Sequence, residues 1–192
     1  MLRHLFSSLL VYVRGGGDLG SGVLYRLHRA GFPLVLGELP APVFVRRAVC
    51  FGEAVYSGQT EIEGVPARLV DAAQLETVLA AGEIAVAVNP DGDLMRRLRP
   101  AVVIDARMVK RNLDTRIEDA PLVIGLGPGF TAGEDCHAVI ETNRGHDLGR
   151  VIWQGSAEPD TGEPGVMGGH THSRVLRAPV DGHVSACAQI GD

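Results

Sequence analysis

A glycine-rich segment near the start of the chain has the residue spacing of a phosphate-binding turn. The segment "RGGGDLGSG", residues 14–22, contains five glycines, and three of them form the pattern G-x-G-x-x-G. In dinucleotide-binding proteins the first glycine permits a tight turn, the second admits the pyrophosphate, and the third lets helix and strand pack closely. The sequence predicts a phosphate site here, with the alternative that the loop only joins a strand to a helix. The candidate binding residues are Gly15, Gly16, Gly17, Asp18, Leu19, Gly20 and Ser21.

An acidic residue stands where the ribose of a dinucleotide would bind. Glu38 lies 18 residues after Gly20, at the end of the apolar run "FPLVLGEL". A carboxylate at this place accepts hydrogen bonds from a free ribose 2′-hydroxyl and disfavours a 2′-phosphate. The alternative is that Glu38 only ends a solvated strand. Asp18 counts against the phosphate hypothesis, because it brings negative charge close to the predicted phosphates.

A charged cluster follows the apolar run that ends at Ile104. It lies in "DARMVKRNLDTR" and contributes the candidate binding residues Asp105, Arg107, Lys110 and Arg111. If part of this segment is helical, Arg107, Lys110 and Arg111 share one face and could clamp an anion. Ligands of open α/β sheets bind at the carboxyl edge of the strands, where this cluster begins. The alternative is a solvated face with internal ion pairs.

A second glycine-rich turn, "GLGPGF" at residues 125–130, also follows an apolar run. Gly127 and Gly129 could present backbone N–H groups to an anion and so complete the site. The turn lacks the Lys-Ser/Thr pair of a Walker A loop, so we do not expect a P-loop.

The chain has three widely spaced cysteines, Cys50, Cys136 and Cys187, and no CxxC pair. This usage is typical of a reducing, cytoplasmic compartment and argues against a cysteine-built zinc site. Cys136, beside His137, is the candidate catalytic residue if histidine lowers the pKa of its thiol. The alternative is a small buried cysteine in a core strand. His170 and His172 in "HTH" could share one face, but the sequence offers no third ligand, and we predict no metal site.

The order of apolar runs predicts an α/β fold, with a Rossmann-like, mostly parallel sheet and a β-rich C-terminal part that looks truncated. Residues 9–13 predict the first strand, "DLGSGVLYRLHRAG" a helix, and "DAAQLETVLAAG" a second helix capped by Asp71 and Gln74. We expect a ligand-binding domain over residues 1–105 and a segment over 106–165 that completes the site. Residues 166–192 would begin a small β domain. The net charge of −5 argues against nucleic-acid binding, and no apolar run is long enough to span a membrane.

Four segments together resemble the bacterial selenium-dependent molybdenum hydroxylase system proteins of the YqeB type. They are "RGGGDLGSGVLYRLHRAGFP", "RRAVCFGEAVYSG", the block from "DARMVKRNLDTR" through "GEDCHAVIETNRGHDLGRVIWQGSAEPDTGEPG", and "RVLRAPVDG". The resemblance runs from about residue 12 to the end of the chain, and the long middle block is far more specific than a glycine loop. The "HLFSS" and "HTH" segments are not parts of the family pattern. Members of this family continue past the point where this chain ends, so the resemblance implies a shortened chain.

The resemblance implies a role in maturing selenium-containing molybdenum hydroxylases, with a hydroxylase apoprotein as partner. The protein would act on the molybdenum cofactor or on delivery of selenium to it, with Cys136 as the candidate carrier of sulfur or selenium. The expected ligand is NAD or another nucleotide, or the molybdenum cofactor itself. Two alternatives stay open. One is an NAD-dependent oxidoreductase, and the other is a non-enzymatic chaperone with an exposed apolar patch.

Overall fold

A computed structural model of the chain describes residues 5–162, 166, 168–174, 177–182 and 187. Contacts divide the chain into two compact units, Met1–Pro159 and Asp160–Asp192. The first unit contains the sheet and the helices described below. None of the helices in the described ranges is both long and apolar enough to cross a membrane.

Within the described residues, nine strands form one sheet and two more form a short ribbon. The strands are β1 Val11–Arg14, β2 Leu34–Glu38, β3 Gln59–Ile62, β4 Val65–Leu69, β5 Ile84–Val88, β6 Val102–Asp105, β7 Leu122–Leu126, β8 Thr131–Ala132, β9 Ala138–Ile140, β10 Val151–Ile152 and β11 Gly155–Ser156. The sheet has the order β10-β9-β7-β6-β1-β2-β5-β4-β3, and β8 pairs with β11. Within the nine-stranded sheet, only the edge strands β3 and β10 are antiparallel to their neighbours. The β8–β11 pair is antiparallel as well. The predicted α/β fold with a mostly parallel sheet is confirmed.

The apolar runs form strands because both faces of the sheet are covered. Every residue of β1 and β2 is buried, including the alternate positions that would face water in a one-sided sheet. Tyr12 and Val35 belong to the core on one face, whereas Val13 and Leu36 belong to the core on the other. Strands covered on both faces read as continuous apolar segments.

Four α-helices lie in the described part of the chain: α1 Asp18–Ala30, α2 Ala54–Ser57, α3 Leu75–Ala80 and α4 Asp93–Leu98. Helix α1 ends at Gly31, whose left-handed backbone (φ 91°) sends the chain into β2. Asp71 and Gln74 make the predicted capping contacts, since the Asp71 carboxylate accepts the N–H of Gln74 and the Gln74 side chain accepts that of Asp71. The helix itself begins only at Leu75, after a turn. Helix α4 was not predicted.

Strand β1 lies at the point where the chain direction across the sheet reverses. Its neighbour on one side is β2, and its neighbour on the other is β6, which the chain reaches only after completing β5. The connections that leave the carboxyl ends of β1 and β6 therefore diverge to opposite sides. Open α/β sheets bind ligands in the crevice formed at such a point.

Three sequence predictions differ from the structure or lie outside its described part. Residues 106–116 contain no helix, so the proposed helical face of Arg107, Lys110 and Arg111 does not form. The segment "CHAVIETNRGHDLGRVIWQG" predicts two strands around a tight Asn-Arg-Gly turn, whereas the structure joins β9 to β10 through residues 141–150. The predicted C-terminal β pattern falls partly on residues outside the described ranges, and its described stretch 177–182 contains no strand. The boundary at residue 105 stays a prediction, although one sheet contains strands from both sides of it.

Candidate functional site

A cavity of about 600 Å³ lies at the carboxyl ends of β1, β2, β5 and β6. It therefore occupies the crevice at the reversal point of the sheet. Its walls combine polar residues from the strand ends with apolar residues from three loops. The lining residues are Tyr12, Arg14, Gly15, Gly17, Asp18, Leu19, Gly37, Glu38, Leu39, Pro42, Val43, Phe44, Val45, Asn89, Pro90, Ala106, Arg107, Met108, Val109 and Leu113.

The glycine loop fits tightly between the neighbouring connections. Gly15 has a left-handed backbone (φ 93°), and a Cβ atom there would lie 2.9 Å from the Cα atom of Arg107. A Cβ atom on Gly20 would lie 2.1 Å from the carbonyl oxygen of Gly15. The first and third glycines of the pattern thus allow the close approaches expected of them. Gly17 is different, because a Cβ atom there would meet only Phe44 at 3.8 Å, and it faces the cavity.

Two buried side chains fix the shape of this loop. The Glu38 carboxylate accepts the N–H of Gly16 at 2.6 Å and the N–H of Leu39 at 2.9 Å. The Ser21 hydroxyl donates to the carbonyl of Gly16 and accepts the N–H of Phe51. Glu38 therefore holds the loop from the end of β2 while it lines the cavity. Its predicted contact with a ribose stays a prediction.

The N-terminus of α1 opens on the cavity, and its acidic residue forms an ion pair. The first-turn N–H groups of a helix have no intrahelical partner, and the N-cap Gly17 has no side chain that could accept from them. The Asp18 carboxylate pairs with the Arg46 guanidinium at 2.5 Å and accepts the Cys50 thiol at 3.1 Å. The negative charge that counted against a phosphate at this loop is therefore paired with Arg46.

Two arginines and two aspartates form a network at the ends of β1 and β6. Arg14 donates to the Thr115 hydroxyl and to Asp114, both at 2.8 Å. Arg107 pairs with Asp105 at 2.6 Å and with Asp114 at 2.7 Å. Thr115 in turn donates to Asp105 at 2.6 Å. Although partial burial acts in the opposite direction, the hydrogen bonds from both arginines lower the pKa of Asp114 below its ordinary value.

The remaining predicted binding residues lie near the cavity without lining it. Lys110 and Arg111 are exposed. A Cβ atom on Gly129 would lie 2.5 Å from the backbone nitrogen of Arg111, so the second glycine turn packs against this backbone. Gly127 lies beside Thr142 in the same way. Gly16, Gly20, Ser21 and Asp105 form the layer directly behind the cavity wall. Whether any of these residues contacts a ligand stays a prediction.

Cys136 is completely buried and lies away from the cavity. Burial raises the pKa of its thiol, which disfavours the thiolate needed for sulfur or selenium transfer. His137 does not pair with it, since its Nδ1 atom accepts the N–H of Val123 at 2.9 Å. Cys50 is buried as well, and burial together with Asp18 raises the pKa of its thiol to about 12. These surroundings favour a core role for Cys136, and its catalytic role stays an untested prediction.

These environments predict a clear order of thiol reactivity. With a maleimide at neutral pH, we expect the exposed Cys187 to react in the folded protein, and Cys50 and Cys136 to react only after unfolding. Peptide mass spectrometry after a short labelling pulse measures this directly, with Cys187→Ser as the control for site assignment. Labelling of Cys136 at the rate of Cys187 would contradict the buried environment and restore it as a sulfur carrier.

No metal centre is found within the described residues, where no group of three or more His, Cys, Asp or Glu side chains is placed to hold an ion. In the "HTH" segment, the Nδ1 atom of His170 lies 3.1 Å from the Ser173 hydroxyl.

Several cavity residues escaped the sequence analysis. Arg14 lines the cavity and its partner Thr115 lies behind it, and both were missed because they are 101 positions apart in the chain. Tyr12 and Asn89, which hydrogen-bond to each other at 2.7 Å, were missed for the same reason. One usable signal existed, because Arg14 ends the first apolar run with a charge and immediately precedes Gly15.

Comparison of the amino-acid sequence with known proteins finds a bacterial relative. The chain is 48% identical over 190 residues to the uncharacterized protein YqeB of Escherichia coli strain K12. It is similar to YqeB. The matched region covers 98% of this chain and 35% of YqeB, so the chain spans about a third of that protein's length. No protein-family model and no solved structure matches the chain. The identity to YqeB supports the YqeB-type resemblance drawn from the sequence.

Proposed function

We propose that this protein binds a phosphate-bearing ligand, either a nucleotide or the molybdenum cofactor, as an accessory protein that matures selenium-dependent molybdenum hydroxylases. The observation that carries the binding proposal is the cavity at the reversal point of the sheet. It is lined by the glycine loop, by the open N-terminus of α1 and by two arginines.

The N-terminus of α1 supplies one half of the proposed site. Four N–H groups at a helix start lack intrahelical partners, and the helix dipole adds partial positive charge. The side-chain-free Gly17 leaves these groups accessible, while Arg46 removes the repulsion that Asp18 would otherwise exert. Phosphate groups bind at helix N-termini of this kind.

The apolar loops supply the other half. The apolar lining residues Leu39, Val43, Phe44 and Val45 follow β2, and Met108, Val109 and Leu113 follow β6. Together they offer apolar surface to a flat ring system. Both a nucleobase and a pterin carry such a ring beside a phosphate. A cavity of about 600 Å³ lies within the usual range for small-molecule sites.

The maturation role rests on the resemblance to the selenium-dependent molybdenum hydroxylase system proteins. The identity to YqeB over 98% of the chain supports that resemblance. Of the proposed ligands, the molybdenum cofactor fits this setting best, because an accessory protein of these enzymes would hold the cofactor before insertion. Its partner would be the hydroxylase apoprotein.

The test is a calorimetric titration with NAD⁺, NADP⁺, ATP, CTP and molybdenum cofactor, repeated with Gly17→Val. We expect one of these ligands to bind and the variant to lose at least tenfold in affinity, because valine covers the N–H groups of the helix start. Gly22→Val is the matched control. It adds the same side chain to the same helix, where a Cβ atom meets nothing within 4 Å.

The outcomes separate the alternatives. Molybdenum cofactor or CTP as the ligand supports the maturation role, whereas NAD⁺ alone would replace it with a dehydrogenase. Absence of binding by every ligand, or equal affinity of the Gly17→Val and Gly22→Val variants, would contradict the proposed site.

A further inference from the structure

Arg14 and Arg107 point their guanidinium groups at one carboxylate, that of Asp114. One Asp114 oxygen lies 2.8 Å from Nη2 of Arg14, and the other lies 2.7 Å from Nη2 of Arg107. Two guanidinium groups that share one anion through separate oxygens form a clamp, which also suits the oxygens of a phosphate. Both arginines line the cavity.

The two aspartates of this network differ in burial and in the number of their partners. The Asp105 side chain is 1% exposed, ends strand β6 and binds both Arg107 and Thr115. The Asp114 side chain is 47% exposed and belongs to the irregular segment 106–116. It contacts only the two arginines among the hydrogen bonds and ion pairs of the described residues. Asp114 can therefore leave the network without disturbing a strand.

The charge balance shows what would have to replace Asp114. With both aspartates in place, two positive charges face two negative charges. Without Asp114, the Arg14 side chain, which is 7% exposed, would stay buried with one uncompensated positive charge. A buried unpaired charge is costly, so departure of the carboxylate requires another anion in its place.

We propose that Arg14 and Arg107 form an anion site for the phosphate group of the cavity's ligand, and that Asp114 occupies this site in the free protein. This inference rests on the proposed function and locates the phosphate about the two arginines. The N–H groups at the start of α1 contact the same phosphate group from the side of the glycine loop. Loss of the Asp114 contact couples ligand binding to movement of segment 106–116. The phosphate of a nucleotide and that of a pterin cofactor share this chemistry.

Inorganic pyrophosphate is the probe that tests this site without the rest of a ligand. We expect Asp114→Asn to bind pyrophosphate at least tenfold more tightly than the wild type, because the competing carboxylate is gone and the amide keeps its shape. Exchanging Arg107 for lysine in the Asp114→Asn background should cancel the gain, since lysine cannot offer the same fork of donors. The titrations are run at one fixed, low salt concentration.

Asp147→Asn is the matched control. Its side chain is 45% exposed and pairs with Arg150, so the same charge is removed from a similarly exposed carboxylate outside the cavity. If Asp114→Asn lowers the melting temperature, the same comparison is made by thermal unfolding. Pyrophosphate should then raise the melting temperature of this variant more than that of the wild type.

Equal pyrophosphate affinity of Asp114→Asn and the wild type would overturn the inference, and so would an equal gain in Asp147→Asn. The result is independent of the nucleotide and cofactor titration. Suppose that one ligand loses affinity in Gly17→Val but has equal affinity for Asp114→Asn and the wild type. That result would contradict the anion site and still support the proposed function. Tighter pyrophosphate binding by Asp114→Asn, with no binding by any nucleotide or cofactor, would support the anion site and contradict the proposed function.

Discussion

Gly20→Ala is expected to destabilise the protein by about 3 kcal/mol or more, as overpacking between rigid backbone segments does. The added Cβ atom would lie 2.1 Å from the carbonyl oxygen of Gly15 and 3.2 Å from the Cβ atom of Ala106. Neither neighbour is the flexible end of a side chain, so helix α1 would have to move away from β1 and β6. Urea unfolding followed by circular dichroism measures the loss.

Gly22→Ala gives the matched comparison within the same helix. A Cβ atom at Gly22 meets nothing within 4 Å, so this substitution should stabilise the protein by about 0.5–1 kcal/mol through helix propensity alone. If Gly20→Ala instead behaves like Gly22→Ala, helix α1 does not pack on the glycine loop as described.

Asp105→Asn is expected to cost about 3–5 kcal/mol, the range observed when one partner of a buried ion pair is removed. Asp105 is 1% exposed and accepts hydrogen bonds from the backbone N–H, Nε and Nη2 of Arg107 and, as a fourth donor, from the Thr115 hydroxyl. The amide cannot accept all of these hydrogen bonds, and the positive charge of Arg107 loses its buried partner. The free energy of unfolding should fall, whereas the slope of that free energy against urea concentration should stay the same.

The exposed ion pair of Asp147 and Arg150 is the comparison for Asp105, because water screens it and it contributes little to stability. Asp147→Asn should change stability by less than about 1 kcal/mol. A loss for Asp105→Asn no larger than that for Asp147→Asn would mean that the network at the strand ends is not assembled in solution.

The first strand–helix–strand unit could be predicted because its signals are local. An apolar run, a glycine pattern, a helical period and a closing glycine all lie within residues 9–38. The contacts that shape the site are not local. Glu38 reaches Gly16 across 22 positions, and Arg14 reaches Asp114 across 100. Only the assembled sheet brings such residues together, so spacing in the sequence does not reveal them.

The segment after β6 shows why the prediction of a helical basic face was wrong. Met108 and Lys110 adopt left-handed backbone conformations, with φ of 58° and 66°, which interrupt a helix. The segment follows this path because Gly129 packs directly against the backbone of Arg111 and because Asn112 binds Thr115 and Asp135. These tertiary contacts override the local spacing of the charges. Helix α4 was missed although a local contact holds its start, since the N–H of Leu94 donates to the side chain of Asn89 five positions earlier.

The central claim is that the cavity at the sheet's reversal point binds a phosphate-bearing ligand, and backbone amide NMR tests it most directly. A labelled sample of the wild-type protein is titrated with molybdenum cofactor and, separately, with each nucleotide. We predict that one ligand shifts the amide signals of Gly15, Gly17, Asp18, Leu19 and Arg107 together, while those of the distant α3 stay fixed. Shifts that avoid these five amides, or no shifts with any ligand, would contradict the account.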